Sequence, residues 1–162
     1  MARLYMSTAG FYVYGDELVP NEITRLLGCK PTDSHSKGER HLGGSGREYA
    51  PWRTGMWMVD ASDESPGNLD KQVADILRRL TPDLTTWRLL GSRFRLVMSW
   101  GLFMALRNEE PVVSPETLKA LGDRGVELNL GIYAPSDEPA PDRPCPCGGG
   151  EVYAQCHGYR GT

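Results

Sequence analysis

The chain has 162 residues and is 40% hydrophobic, enough for one core of ordinary size with a small appendage. Its 18 Lys and Arg against 21 Asp and Glu give a net charge of -3, which excludes a global basic field for holding a polyanion. The sequence holds neither the roughly 7 to 15 apolar residues in a row of a secretory signal nor the roughly 20 of a membrane span. A cytoplasmic protein is expected, with no role at a membrane.

Residues 4–14 are rich in aromatic and β-branched side chains and end at Gly15-Asp16, which predicts a strand with a bulge at Gly10. Pro20 then opens a helix whose apolar positions are Ile23, Leu26 and Leu27, with Gly28 placed for a left-handed C-cap. Cys29 follows it and reads as a packing residue rather than a nucleophile. Residues 31–55 are polar and glycine-rich with neither period, so they read as one long loop.

Residues 56–61 resume as a strand. Asn68 caps a helix with an apolar stripe of Leu69, Val73, Ile76, Leu77 and Leu80. Pro82 interrupts that pattern, Trp87, Leu89 and Leu90 continue it briefly, and residues 94–104 read as a strand. Ser114-Pro115-Glu116 starts another helix, with Leu118 and Leu121 as its buried side. Val126, Leu128, Leu130 and Ile132 then alternate with polar or small residues, the period of a strand with one buried face.

The segments Pro20 to Gly28 and Pro115 to Gly122 echo each other, each a short helix between two strands. The expected fold is α+β, made of two β-α-β halves joined by a connecting helix. Its helices pack on one face of a mainly antiparallel sheet in a ferredoxin-like sandwich. This domain is expected over residues 1–134. Residues 135–143 form a proline-rich spacer that reaches up to about 30 Å in polyproline II geometry. Residues 144–162 make a small zinc knuckle.

The knuckle rests on Cys145, Cys147, Cys156 and His157. Cys145-Pro-Cys147 sets two thiolates on one side of a tight turn, Gly148-Gly-Gly150 lets the backbone fold back, and Cys156-His157 returns two adjacent ligands. Three sulfurs and an imidazole fill a tetrahedral zinc shell, so the metal is structural and no position is left for a reactive water. A segment with so few apolar side chains gains its order from the metal, which contributes roughly 10 to 16 kcal/mol in small peptides. The competing reading, a disordered tail or a disulfide, leaves an odd cysteine and needs an oxidising compartment.

At Pro144-Cys-Pro-Cys-Gly-Gly-Gly-Glu-Val-Tyr-Ala-Gln-Cys-His-Gly158 the tail resembles the SEC-C motif, a zinc-binding module at the end of the preprotein-translocase motor and on many other bacterial proteins. The resemblance implies the same four ligands and a protein partner; in the translocase motor the partners are a chaperone and the ribosome. Glu151, Val152, Ala154 and Gln155 stand where that motif usually carries lysine or arginine, which points away from acidic partners.

The stretch Tyr14 to Thr32, then Lys37-Gly-Glu39, Thr54-Gly-Met-Trp57 and Gly125 to Tyr133, resembles a bacterial family catalogued as domain of unknown function 4279. These motifs are mainly caps, turns and core positions, so the resemblance implies a fold more than a reaction.

Within that domain, the loop over residues 35–57 gathers Lys37, Arg40, Arg47 and Arg53 with His35, His41, Tyr49, Trp52 and Trp57. Arginine forks and flat rings suit an anionic ligand or an acidic protein face. The plainer reading is a solvated loop whose tryptophans pack on the core. Enzyme motifs are missing: Arg47 breaks the nucleophile-elbow pattern in Gly43-Gly-Ser-Gly-Arg47, no Walker lysine follows a glycine loop, and His35 and His41 lack catalytic-zinc spacing. The adjacent acids Asp16-Glu17 are explained by turn formation ahead of a helix.

Together these features predict a non-enzymatic, zinc-binding adaptor with a protein partner, one version being a toxin-neutralising immunity protein by analogy. Two alternatives stay open. One is a small-ligand sensor or enzyme using the pocket of loop 35–57; the other, disfavoured by charge, is a nucleic-acid- or ribosome-associated protein.

Overall fold

A computed structural model describes residues 4–41, 44, 46, 48–106, 109–135, 143–145, 147 and 149–156. The described elements follow in the order β1 (Met6–Gly15), α1 (Pro20–Leu27), β2 (Asp33–His35), β3 (Gly55–Asp60), α2 (Leu69–Arg79), α3 (Leu84–Arg93), β4 (Arg95–Phe103), α4 (Pro115–Asp123), β5 (Glu127–Tyr133) and the one-turn α5 (Tyr153–Cys156). The five strands form one open sheet in the order β2-β3-β1-β4-β5. It is antiparallel except where β4 and β5 run parallel.

The helix starts follow from local chemistry. Asn68 Oδ1 accepts from the Lys71 backbone N at 3.0 Å, Asp83 accepts from the N–H groups of Thr85 and Thr86, and Ser114 Oγ accepts from Thr117 N at 3.1 Å. Gly28, at φ 73°, closes α1 through its N–H to Thr24 O at 2.9 Å, a conformation that glycine adopts without strain.

One face of the sheet is covered by helices. Phe11 and Val13 of β1, Trp57 and Val59 of β3, and Leu96, Met98 and Trp100 of β4 are buried there against Ile23, Leu27, Val73, Ile76 and Trp87. Trp57, Trp87 and Trp100 are all at most 1% exposed, each contributing on the order of 5 kcal/mol of transfer free energy. Phe11 meets Trp87 edge-on at 5.3 Å. A polar staple crosses the same interface: Gln72 of α2 accepts from Ser7 Oγ at 2.7 Å and donates to the carbonyls of Ser7 and Ser62, both at 2.9 Å.

Several expectations change. Gly10 is no bulge: it pairs in continuous register with Asp60 on one side and Ser99 on the other. The loop of residues 31–55 contains β2, which joins β3 at the sheet edge through Asp33 to Met58 and His35 to Met56. The single connecting helix is two, α2 and α3, because Asp83 caps a new start just after Pro82.

Leu118 is 51% exposed, and Thr117 joins Leu121 on the buried side of α4. The apolar row of β5 is uncovered as well: Leu128, Leu130 and Ile132 are 39, 48 and 64% exposed at the sheet margin. The two halves also differ in layout: α1 joins β1 to β2, which run parallel but are separated in the sheet by β3, whereas α4 joins β4 to β5, which are parallel and directly paired.

Candidate metal centre and the polar loop

In the tail, Pro144 bridges Val152 in antiparallel fashion, and Cys145 N donates to Glu151 O at 2.9 Å, so the chain doubles back between them. Gly150, at φ 83°, supplies the left-handed residue that this reversal uses. Val152 O then accepts from Gln155 N and Cys156 N, which winds α5 and returns Cys156 to the first two cysteines. One ligand atom from each of Cys145, Cys147 and Cys156 lies within 4.8 Å of the others. Cys147 Sγ and Cys156 Sγ are 3.4 Å apart, and no disulfide links any cysteine.

This donor set fits a metal ion. Sulfurs about 2.3 Å from a tetrahedral zinc lie roughly 3.8 Å from one another, close to the spacing found. The Cys147 thiol is held below its usual value, first by the hydrogen bond from the Gly149 backbone, then by its neighbours Cys145 and Cys156. Cys156 is pushed up to about 12, first by its hydrogen bond with Cys147. Sulfurs this close share protons because adjacent thiolates repel, and a cation removes that conflict. His157 lies outside the described residues, so it is assigned from sequence alone.

The loop is organised by stacked rings. His35 lies on Trp52 with centroids 3.9 Å apart, His41 lies on Trp52 at 4.2 Å, and Tyr49 lies on His41 at 5.3 Å, all within 15° of parallel. Trp52 is 37% exposed, and His35 is buried. Burial chiefly holds the His35 imidazole below its usual value, and nearby Asp33 and Glu39 oppose the shift. The cations of the loop are largely engaged by carboxylates: Lys37 pairs with Asp16, and Arg40 with Glu48 at 2.9 Å. Arg53 is exposed, and Arg47 lies outside the described residues. Trp57 stands apart from the loop surface, wholly buried with its Nε1 donating to Thr24 Oγ1 at 3.0 Å.

Of the residues named from sequence, the structure brings together the three cysteines and, separately, the rings stacked around Trp52, while Lys37 and Arg40 pair with carboxylates and Trp57 lies in the core. The profile of the family described as "Domain of unknown function (DUF4279)" matches residues 4–135. The chain belongs to this family. No curated protein and no solved structure matches it. The matched span covers the five-stranded sheet and its four long helices and stops before the cysteine cluster, which lies outside it. Among the described residues, no helix is long and apolar enough to cross a membrane.

The DUF4279 domain also carries a feature that sequence reasoning missed. On the face of the sheet away from the core cluster, a cavity of about 570 Å³ lies over Gly10, Ser99, Gly101 and Asn129, and an adjoining one of about 420 Å³ reaches Tyr14 and Arg95. The signal in the sequence was the set of positions alternating with the buried ones in β1 and β4, where tyrosines and glycines stand in place of ordinary solvated side chains.

Proposed function

We propose that the protein is a non-enzymatic cytoplasmic adaptor in which a zinc knuckle, held by Cys145, Cys147, Cys156 and His157, adds a docking surface to the DUF4279 domain. The observation that carries this reading is the convergence of three sulfurs from a segment with almost no core of its own. A shell closed by three thiolates and an imidazole leaves no open position for substrate, so the metal's role is to order the tail. The resemblance to the SEC-C motif supports a protein as the partner, and an immunity protein that neutralises a toxin is one form such an adaptor takes.

Affinity capture from cell extract with wild-type protein and with the Cys145→Ser/Cys147→Ser variant tests the role. Loss of particular partners in the variant supports a docking knuckle, and identical partner lists remove it. Metal analysis of protein purified without chelators tests the site separately: about one zinc per chain is expected for a single closed shell.

A further inference from the structure

The cavity on the uncovered sheet face lies within the DUF4279 domain, and its walls are specific enough to name a ligand chemistry. Direct strand partners share a face, so Asp60, Gly10, Ser99 and Asn129 form one row across β3, β1, β4 and β5. Three strand spacings make that row roughly 14 Å long. Beside it runs a second row, Thr8, Gly101 and Gly131.

Glycine in both rows keeps the floor low. A Cβ on Gly10 would stand 2.6 Å from Asp60 Oδ1 and 2.9 Å from Tyr12 Cε2, and one on Gly101 would stand 2.4 Å from Thr8 Oγ1. The Asp60 carboxylate and the Tyr12 ring therefore both lean over the floor at Gly10. Rings bound the trough on both sides, Tyr12 stacked on Tyr14 at 5.7 Å and Tyr133 stacked on Phe103 at 4.6 Å.

The charge at the β3 end is negative. Asp60 and Asp63 both line the cavity. Arg79, the nearby cation, donates to the Asp60 backbone carbonyl at 2.7 Å rather than to its carboxylate. Burial raises the Asp60 carboxyl above its usual value, Arg79 opposes this, and Asp63 and Asp33 add to it. At the other end the guanidinium of Arg95 is engaged by Glu127, with contacts of 2.8 to 3.1 Å. A bound cation would relieve the repulsion among the carboxylates, whereas an anion would face them.

The sheet's own ladder uses the backbone groups of β1, β3 and β4, so a peptide strand lying on this face would find none to pair with. Recognition has to come from side chains. The volume of about 570 Å³ is that of a small-molecule site. We propose that this trough binds a small organic cation, a protonated amine carried on a flat ring, with the amine at Asp60 and the ring between Tyr12 and Tyr133 over the glycine floor. Ser99 and Asn129 supply the polar contacts further along. The energetic sources are an ion pair in a half-desolvated corner and ring contacts that a cation strengthens.

Titration calorimetry on the full chain tests this with two probes that share a ring and differ in charge, tryptamine and indole-3-acetate. Tryptamine is expected to bind at millimolar concentration and indole-3-acetate not to bind. Asp60→Asn should weaken tryptamine by about tenfold or more. Gly131→Val should abolish binding by filling the trough, because a Cβ there meets its nearest neighbour only at 3.4 Å. Unfolding midpoints near wild type certify both variants, and Asp60→Asn decides alone if Gly131→Val does not fold. Equal binding of the two probes, no binding of tryptamine, or an unchanged dissociation constant in Asp60→Asn would each overturn the proposal.

Discussion

Replacing Gln72 with alanine removes the side chain that fastens α2 to the start of β1. It is wholly buried and makes three hydrogen bonds, one accepted from Ser7 Oγ and two donated to carbonyls. At a net contribution of about 1 kcal/mol each, their loss amounts to about 3 kcal/mol. Two partners are partly compensated: Ser7 Oγ still accepts from Asn68 N at 3.0 Å, and Ser7 O from Glu64 N at 3.0 Å. The Ser62 carbonyl and the Ser7 hydroxyl hydrogen are left without their partner, and the vacated volume adds a cavity term, so the total expected is about 3 to 4 kcal/mol. Urea unfolding followed by tryptophan fluorescence reads this directly, since Trp57, Trp87 and Trp100 sit in the same core. Gln72→Leu, which restores volume without hydrogen bonds, should fall between wild type and Gln72→Ala. A loss under about 1 kcal/mol in Gln72→Ala with an unchanged denaturant slope would refute the staple as a stabilising element.

Three further outcomes follow from the geometry. Leu121→Ala should cost about 2 to 4 kcal/mol in the same assay, because Leu121 is 3% exposed, whereas Leu118→Ala at 51% exposure should cost under about 1 kcal/mol. Because burial lowers the His35 value in the folded protein, the unfolded chain binds more protons between that value and about 6.5. The His35 contribution to stability is therefore complete above about pH 6.5 and is lost as pH falls through the folded value. Unfolding midpoints across that window should be flatter in His35→Gln than in wild type. In the tail, Cys147→Ser should lower bound metal well below the wild-type level by elemental analysis and leave the unfolding transition of the DUF4279 domain unchanged.

Where end chemistry and apolar period agreed, the elements were legible. Pro20, the stripe through Ile23 and Leu27, and Gly28 bounded α1 to the residue, and Asn68 did the same for the start of α2. The sheet was legible as strands but less so as a surface. β2 is three residues long, and its hold on the sheet comes from pairing with β3, so no pattern inside Asp33–His35 announced it. Leu128, Leu130 and Ile132 alternate as a half-buried strand should, yet burial depends on what packs above them, which period cannot report. The cysteine cluster was the opposite case: short-range spacing alone brought three ligands together, because a turn and one helical turn span the whole distance.

The same limit explains why the loop drew attention and the trough did not. Charges and rings adjacent in sequence stand out on reading, so residues 35–57 looked like a site; folding then matched Lys37 to Asp16 and Arg40 to Glu48 and spent the rings on each other. The trough is assembled from residues of β3, β1, β4 and β5 that lie far from one another in the chain. Its glycines look like ordinary weak points of a strand until register sets Gly101 beside Thr8 and Gly131. A site built across strands is fixed by register, and register became known only with the pairing. The chemistry nearest in sequence is therefore largely neutralised within the fold, while the Asp60 carboxylate at the head of the row to Asn129 has no direct ion pair among the described residues, because Arg79 donates to the Asp60 backbone carbonyl instead.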